Sequence, residues 1–167
     1  TTNTLFELGG AIDRRTGEFI QPLPSPLPAN PIKVEYLAAC SLLVRRWAAE
    51  RAGLMCDVFL NADDVEWTMR LASQGRGPLL AVHASRARHP RPDRMRTLAR
   101  YYASRNAFVA LSGETAIGTH RIGPRTRAAR ALRETMRAIS MHFIGRPDLA
   151  ALHLAGLRDA GASGVRG

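Results

Sequence analysis

The chain has 167 residues, 46% of them apolar, and a formal net charge of +10 with two cysteines. That length suits one domain large enough to bury about 70% of its unfolded surface. The composition excludes a membrane-spanning helix, since no apolar run nears 18 residues, and neither a secretion leader nor a zinc or disulfide framework is expected.

In chain order, Leu5–Ile12 and Glu18–Gln21 flank Asp13-Arg14-Arg15-Thr16-Gly17, which predicts a hairpin with Gly17 free to take positive φ. Pro22, Pro24, Pro26, Pro28 and Pro31 predict a stiff extended loop that cannot enter a sheet interior. Tyr36–Val44 is a continuous apolar run and predicts a buried strand. Arg45–Ala52 predicts a short helix closed by Gly53.

Asn61-Ala62-Asp63-Asp64-Val65-Glu66-Trp67-Thr68-Met69-Arg70 comes next, with Asn61 as the expected N-cap. Val65, Met69 and Ala72 recur at helical spacing and Gly75 stops the pattern. Asp63 and Asp64 then fall in the first turn, where the helix dipole favours negative charge. The same placement suits a carboxylate acting as a general base at the mouth of a cleft.

Pro78–Val82 predicts a short buried strand, and residues 83–92 a polar loop broken by prolines. The rest reads as helical. Met95, Leu98, Tyr102 and Val109 mark one helix; Leu132, Met136, Ile139 and Phe143 mark a second, from near Pro124 to Gly145. Pro147 opens a third, with Leu149, Leu152 and Leu157. The expected class is α/β in a single domain: a mixed sheet with flanking helices over residues 1–92, then a helical tail over 93–167.

Charge is concentrated. Between Arg86 and Arg137 there are 13 arginines against three acids (Asp93, Glu114, Glu134). Such a block fits an anionic partner such as a phosphate, a pyrophosphate, an acidic membrane surface or nucleic acid, and it also fits a solvated helix face. Aromatic residues are scarce within it (Tyr101, Tyr102, Phe108), so no stacking platform for single strands is expected. There is no G-x-S-x-G elbow, P-loop or G-x-G-x-x-G. His120, His142 and His153 lack partners at ligand spacing, and the last two read as packing or surface residues.

Several ordered pieces remain: Glu7-Leu8-Gly9-Gly10-Ala11-Ile12-Asp13, Glu35 to Arg46, Ala52-Gly53-Leu54, Phe59 to Trp67, His89, Tyr101-Tyr102-Ala103-Ser104-Arg105-Asn106 and Gly156-Leu157-Arg158-Asp159. In that order and spacing the chain resembles the C-terminal half of family-2, GT-A-type inverting glycosyltransferases, above all bacterial rhamnosyl- and galactofuranosyltransferase-like members of polysaccharide or cell-wall synthesis. The resemblance implies a partial GT-A-like fold. It implies Asp64 as catalytic base with Asp63 beside it, and Glu66, Trp67 and Arg70 as acceptor-binding residues. His89 would join a divalent metal (Mn²⁺ or Mg²⁺), with His83 as a nearby competitor, and Arg88 and Arg105 would meet the diphosphate.

The family's nucleotide-binding half, with its Asp-x-Asp motif, would precede residue 1. This chain is therefore expected to be the acceptor-side part and to hold a UDP- or dTDP-linked donor weakly by itself. The implied acceptor is a glycan or a lipid-linked glycan, and no specific nucleic acid is expected. The implied location is cytoplasmic or peripheral at the inner face of the membrane. A non-enzymatic arginine-rich module binding nucleic acid or an anionic membrane surface is the alternative class.

Overall fold

The computed structural model describes residues 7–21, 24–75, 77–87, 96–112 and 123–163. Asp13 turns the first hairpin: its Oδ1 accepts from the N–H groups of Arg15 (2.8 Å) and Thr16 (3.4 Å), and Gly17 takes φ 69°. β1 (Ala11–Ile12) and β2 (Phe19–Ile20) pair antiparallel across this turn. Gly10, just before β1, bridges to Tyr36, and a Cβ there would lie 2.4 Å from the Tyr36 ring and from the Ile20 carbonyl. Only glycine lets the ring pass so close. β3 (Ile32–Val34) and β4 (Leu79–Ala81) form a second antiparallel pair.

Five helices complete the described chain: α1 (Arg46–Ala52), α2 (Asp63–Gln74), α3 (Arg96–Ser112), α4 (Pro124–Phe143) and α5 (Pro147–Ser163). The hairpin lies on α2, where Ile12, Tyr36, Val65 and Met69 form one buried cluster with Phe19 packed against it. α5 packs against both α3 and α4. At Gly156 a Cβ would come within 2.6 Å of the Tyr101 carbonyl, so α3 and α5 touch backbone to backbone there.

The α/β class and the helices agree with the sequence reading, but two expectations are corrected. The sheet is not mixed: each described sheet is a pair of antiparallel strands. The predicted strand at Tyr36–Val44 does not form. Apart from the bridge at Tyr36 it has no ladder, Cys40 is exposed and Leu43 fully so. Its alanines, cysteine and serine are weak strand formers, and the α2 side chains, rather than a neighbouring strand, satisfy its backbone. Thr68 Oγ1 accepts from Leu37 N–H at 3.1 Å, and Asp64 Oδ2 accepts from Ala39 N–H at 3.1 Å.

In α4 the apolar stripe of Leu132, Met136, Ile139 and Phe143 faces solvent, and the buried face carries Arg130, Glu134 and Ala138. Those polar groups reach the hairpin and α5. Arg130 Nη1 donates to the Gly17 carbonyl while its guanidinium lies 5.5 Å from the Phe19 ring centre and 5.6 Å from that of Phe108. Arg133 and Arg137 both pair with Glu18.

Candidate functional site

The approach to α2 is the most constrained backbone in the described chain. Leu60, Asn61 and Ala62 all take positive φ (57°, 72° and 69°), and none is glycine. Each such residue costs about 1–2 kcal/mol, so something must hold them. That restraint is Asn106 on α3, fully buried, whose Nδ2 lies 2.7, 2.7 and 3.2 Å from the carbonyl oxygens of Phe59, Leu60 and Asn61. Asn61 is not the N-cap. Ala62 occupies that position without a side-chain cap, and the Asn61 amide donates instead to the Ala99 carbonyl. Backbone outliers of this kind cluster at functional sites.

The run delivers Asp64 to a fixed place. Its Oδ1 accepts from Val65 N–H at 2.8 Å and its Oδ2 from Ala39 N–H at 3.1 Å, so both oxygens are oriented from the backbone. Glu7 and Tyr36 stand close by. Burial and then the Asp64 charge push the Glu7 carboxyl up, against a hydrogen bond from Gln21. Burial, then Glu7, push the Tyr36 hydroxyl up to about 12. Sequence reasoning did not single out Glu7; its signal was membership of the Glu7–Asp13 stretch that matches the family pattern.

Asp63 is half-buried next to Asp64. It helps to raise the Cys56 thiol to about 11, after burial and Glu66. Glu66, Trp67 and Arg70 have structural work within the chain. Both Glu66 oxygens are held by Arg70 at 2.8 Å, and Arg70 also donates to the carbonyls of Ala52 and Leu54. Trp67 Nε1 donates to the Gly53 carbonyl at 2.7 Å. Together they fasten the end of α1 to α2, and their polar groups are engaged there rather than free for an acceptor.

The Tyr-Tyr-x-x-Arg-Asn segment is the hub that joins this site to the helical layer. Tyr101 OH donates to Asp159 Oδ2 at 2.7 Å, Tyr102 packs edge-on to Phe59 with ring centres 5.1 Å apart, and Asn106 holds the strained run. Arg105 is half-buried and donates to Asn106 Oδ1 at 2.9 Å, which fixes the amide with its nitrogen toward the carbonyls. Arg88 and His89 lie outside the described residues. His83 is half-buried in the turn after β4.

An open cavity of about 710 Å³ lies between α3, α4 and α5, with Asn61 on its wall together with Arg100, Arg130, Arg137, Glu134 and His153. On one side, Ser104 Oγ lies 2.7 Å from His153 Nδ1 and 3.3 Å from Glu134 Oε2, and His153 Nδ1 lies 3.1 Å from the same Glu134 oxygen. Burial pushes the Glu134 carboxyl up, but the hydrogen bond from His153 and the charges of Arg137 and Arg130 outweigh it and hold it below the usual range. This trio is not a hydrolytic triad. Ser104 is buried, and it shares one imidazole nitrogen with the acid instead of receiving the other. It pins α3, α4 and α5 together across positions too far apart in sequence for spacing to reveal.

Among the described residues no three of His, Cys, Asp and Glu gather into a metal-ligand group. Among the same residues no helix is long and apolar enough to cross a membrane. Compared with known proteins, the chain matches no family model, no curated sequence and no solved structure.

Proposed function

We propose that this chain is the acceptor-side part of a GT-A-like inverting glycosyltransferase and that Asp64 is its catalytic base. The observation that carries the reading is the strained run 60–62, locked by buried Asn106, which presents a backbone-anchored carboxylate at the first turn of α2. A helix start needs no such device merely to place acids near its dipole.

The chemistry follows from that carboxylate. The pKa of an acceptor hydroxyl lies far above neutrality, so it attacks an anomeric carbon only if a positioned group takes its proton. Asp64 takes that proton as the new carbon–oxygen bond forms. The bond to the nucleoside diphosphate breaks on the opposite face, the leaving group departs with the electron pair, and configuration inverts. A general base of this kind is worth about 10²–10⁴-fold. Asp63 adds negative charge beside the base. Asn61, three residues before Asp64, also lines the cavity between α3, α4 and α5, which has Arg100 exposed on its wall but does not include Asp64.

The alternative is a non-enzymatic arginine-rich module that binds nucleic acid or an anionic membrane surface, and what favours the transferase over the nucleic-acid form of it is how several arginines are engaged. Arg105, Arg130, Arg133 and Arg137 are all bound to groups of this chain. The experiment is a transfer assay with a panel of UDP- and dTDP-sugars and glycan or lipid-linked glycan acceptors, run on the polypeptide as the cell makes it. Acceptor-dependent release of the nucleoside diphosphate with inverted product is expected. Sequence-independent nucleic-acid binding that persists at physiological salt, without any transfer, would overturn the reading.

A further inference from the structure

Helical periodicity marks Leu132, Met136, Ile139 and Phe143 as one face of α4, and in a core helix that face would be inside. Here they are 64%, 56%, 44% and 82% exposed, and Ile144 just beyond is 71% exposed. The stripe runs about 17 Å along the axis. Large apolar side chains in a contiguous exposed row mark an interaction surface.

Charge identifies the partner. α4 carries five arginines and a single acid, Glu134, which is buried. Its exposed side therefore carries no carboxylate of its own, although Arg133 and Arg137 are paired with Glu18 of the hairpin. Arg125, exposed, stands two turns before Leu132 on the same face; Arg133 borders the stripe on one side and His142 on the other. A second copy of the chain fits this poorly. The bordering positions Arg133, Thr135, Ser140 and His142 offer no opposite charges across a helix pair, the stripe is shorter than the three to four heptads of a stable coiled coil, and each chain carries +10.

We propose that α4 docks on an anionic lipid bilayer, with Leu132, Met136, Ile139 and Phe143 entering the headgroup–acyl boundary and the exposed Arg125 meeting a lipid phosphate. The helix lies in the interface plane and does not cross it. The proposal is independent of the glycosyltransferase reading.

The test is co-sedimentation of the full chain with vesicles of equal parts phosphatidylglycerol and phosphatidylcholine, against pure phosphatidylcholine. Binding is expected to the anionic vesicles only, weakened but not abolished by raised salt. Met136→Gln with Phe143→Gln, both exposed and neutral, should bind at least about tenfold more weakly with an unchanged circular dichroism spectrum. Ile139→Gln with Ile144→Gln serves as a second, independent pair. Undiminished vesicle binding by both pairs would overturn the proposal, since the arginines alone would then account for it. So would the absence of binding, or a dimer in sedimentation velocity that the same substitutions dissolve.

Discussion

Replacing Asn106 tests the device that holds the site. Its Nδ2 faces three carbonyl oxygens at 2.7, 2.7 and 3.2 Å, and a net hydrogen bond is worth about 1 kcal/mol. That nitrogen carries two N–H donors, so Asn106→Ala should cost about 2 kcal/mol, and a chain of this size loses about 2–4 °C in Tm per kcal/mol. Urea unfolding followed by circular dichroism reads it as a lower midpoint at unchanged slope. Asn106→Asp should cost more at neutral pH, because a carboxylate would face three carbonyl oxygens with no proton to donate, and should recover as acid protonates it. A loss below about 1 kcal/mol in the alanine variant, or an aspartate tolerated as well as asparagine, would refute the claim that Asn106 restrains the left-handed run.

Other perturbations probe the surrounding parts. Glu66→Ala strands the buried Arg70 charge and should destabilise by about 3 kcal/mol; adding Arg70→Met should return part of the loss in the same unfolding assay. Glu7 and Glu134 should respond to pH with opposite signs. The Glu7 carboxyl is raised in the folded chain, so its charged form costs stability above that folded value, and the cost disappears below the ordinary carboxylate range. Glu7→Gln should stabilise at neutral pH and lose the gain in acid. Glu134 is held low, so its contribution is present above the ordinary carboxylate range and fades as pH falls through its folded value. Glu134→Gln should destabilise at neutral pH and flatten the acid limb of the stability curve.

What was legible in the sequence follows from which forces are local. Helix ends show because Gly53, Gly75, Gly145 and Pro147 act on their own backbone. The first hairpin shows because Asp13 bonds within its own turn. Direction does not show. The period of α4 reveals that one face differs from the other but not which faces inward, and here Arg130 and Glu134 go in because Gly17 and His153 await them. The strand expected at Tyr36–Val44 fails for the same reason, since Thr68 and Asp64, far along the chain, take over its backbone bonds. The acidic pair was visible as a candidate. Its anchoring by Ala39, its neighbour Glu7 and its restraint by Asn106 were not, because each depends on contacts that only the folded chain creates.

The most direct measurement is the rate of sugar transfer by Asp64→Asn, with donor affinity measured in parallel. The substitution keeps the shape and removes the base, and its single amide oxygen can accept from only one of Ala39 and Val65. Turnover should fall by at least about 10²-fold with donor binding nearly unchanged, while Asp63→Asn falls less. A loss of less than about tenfold in Asp64→Asn would contradict the account and return the acidic pair to the helix dipole alone.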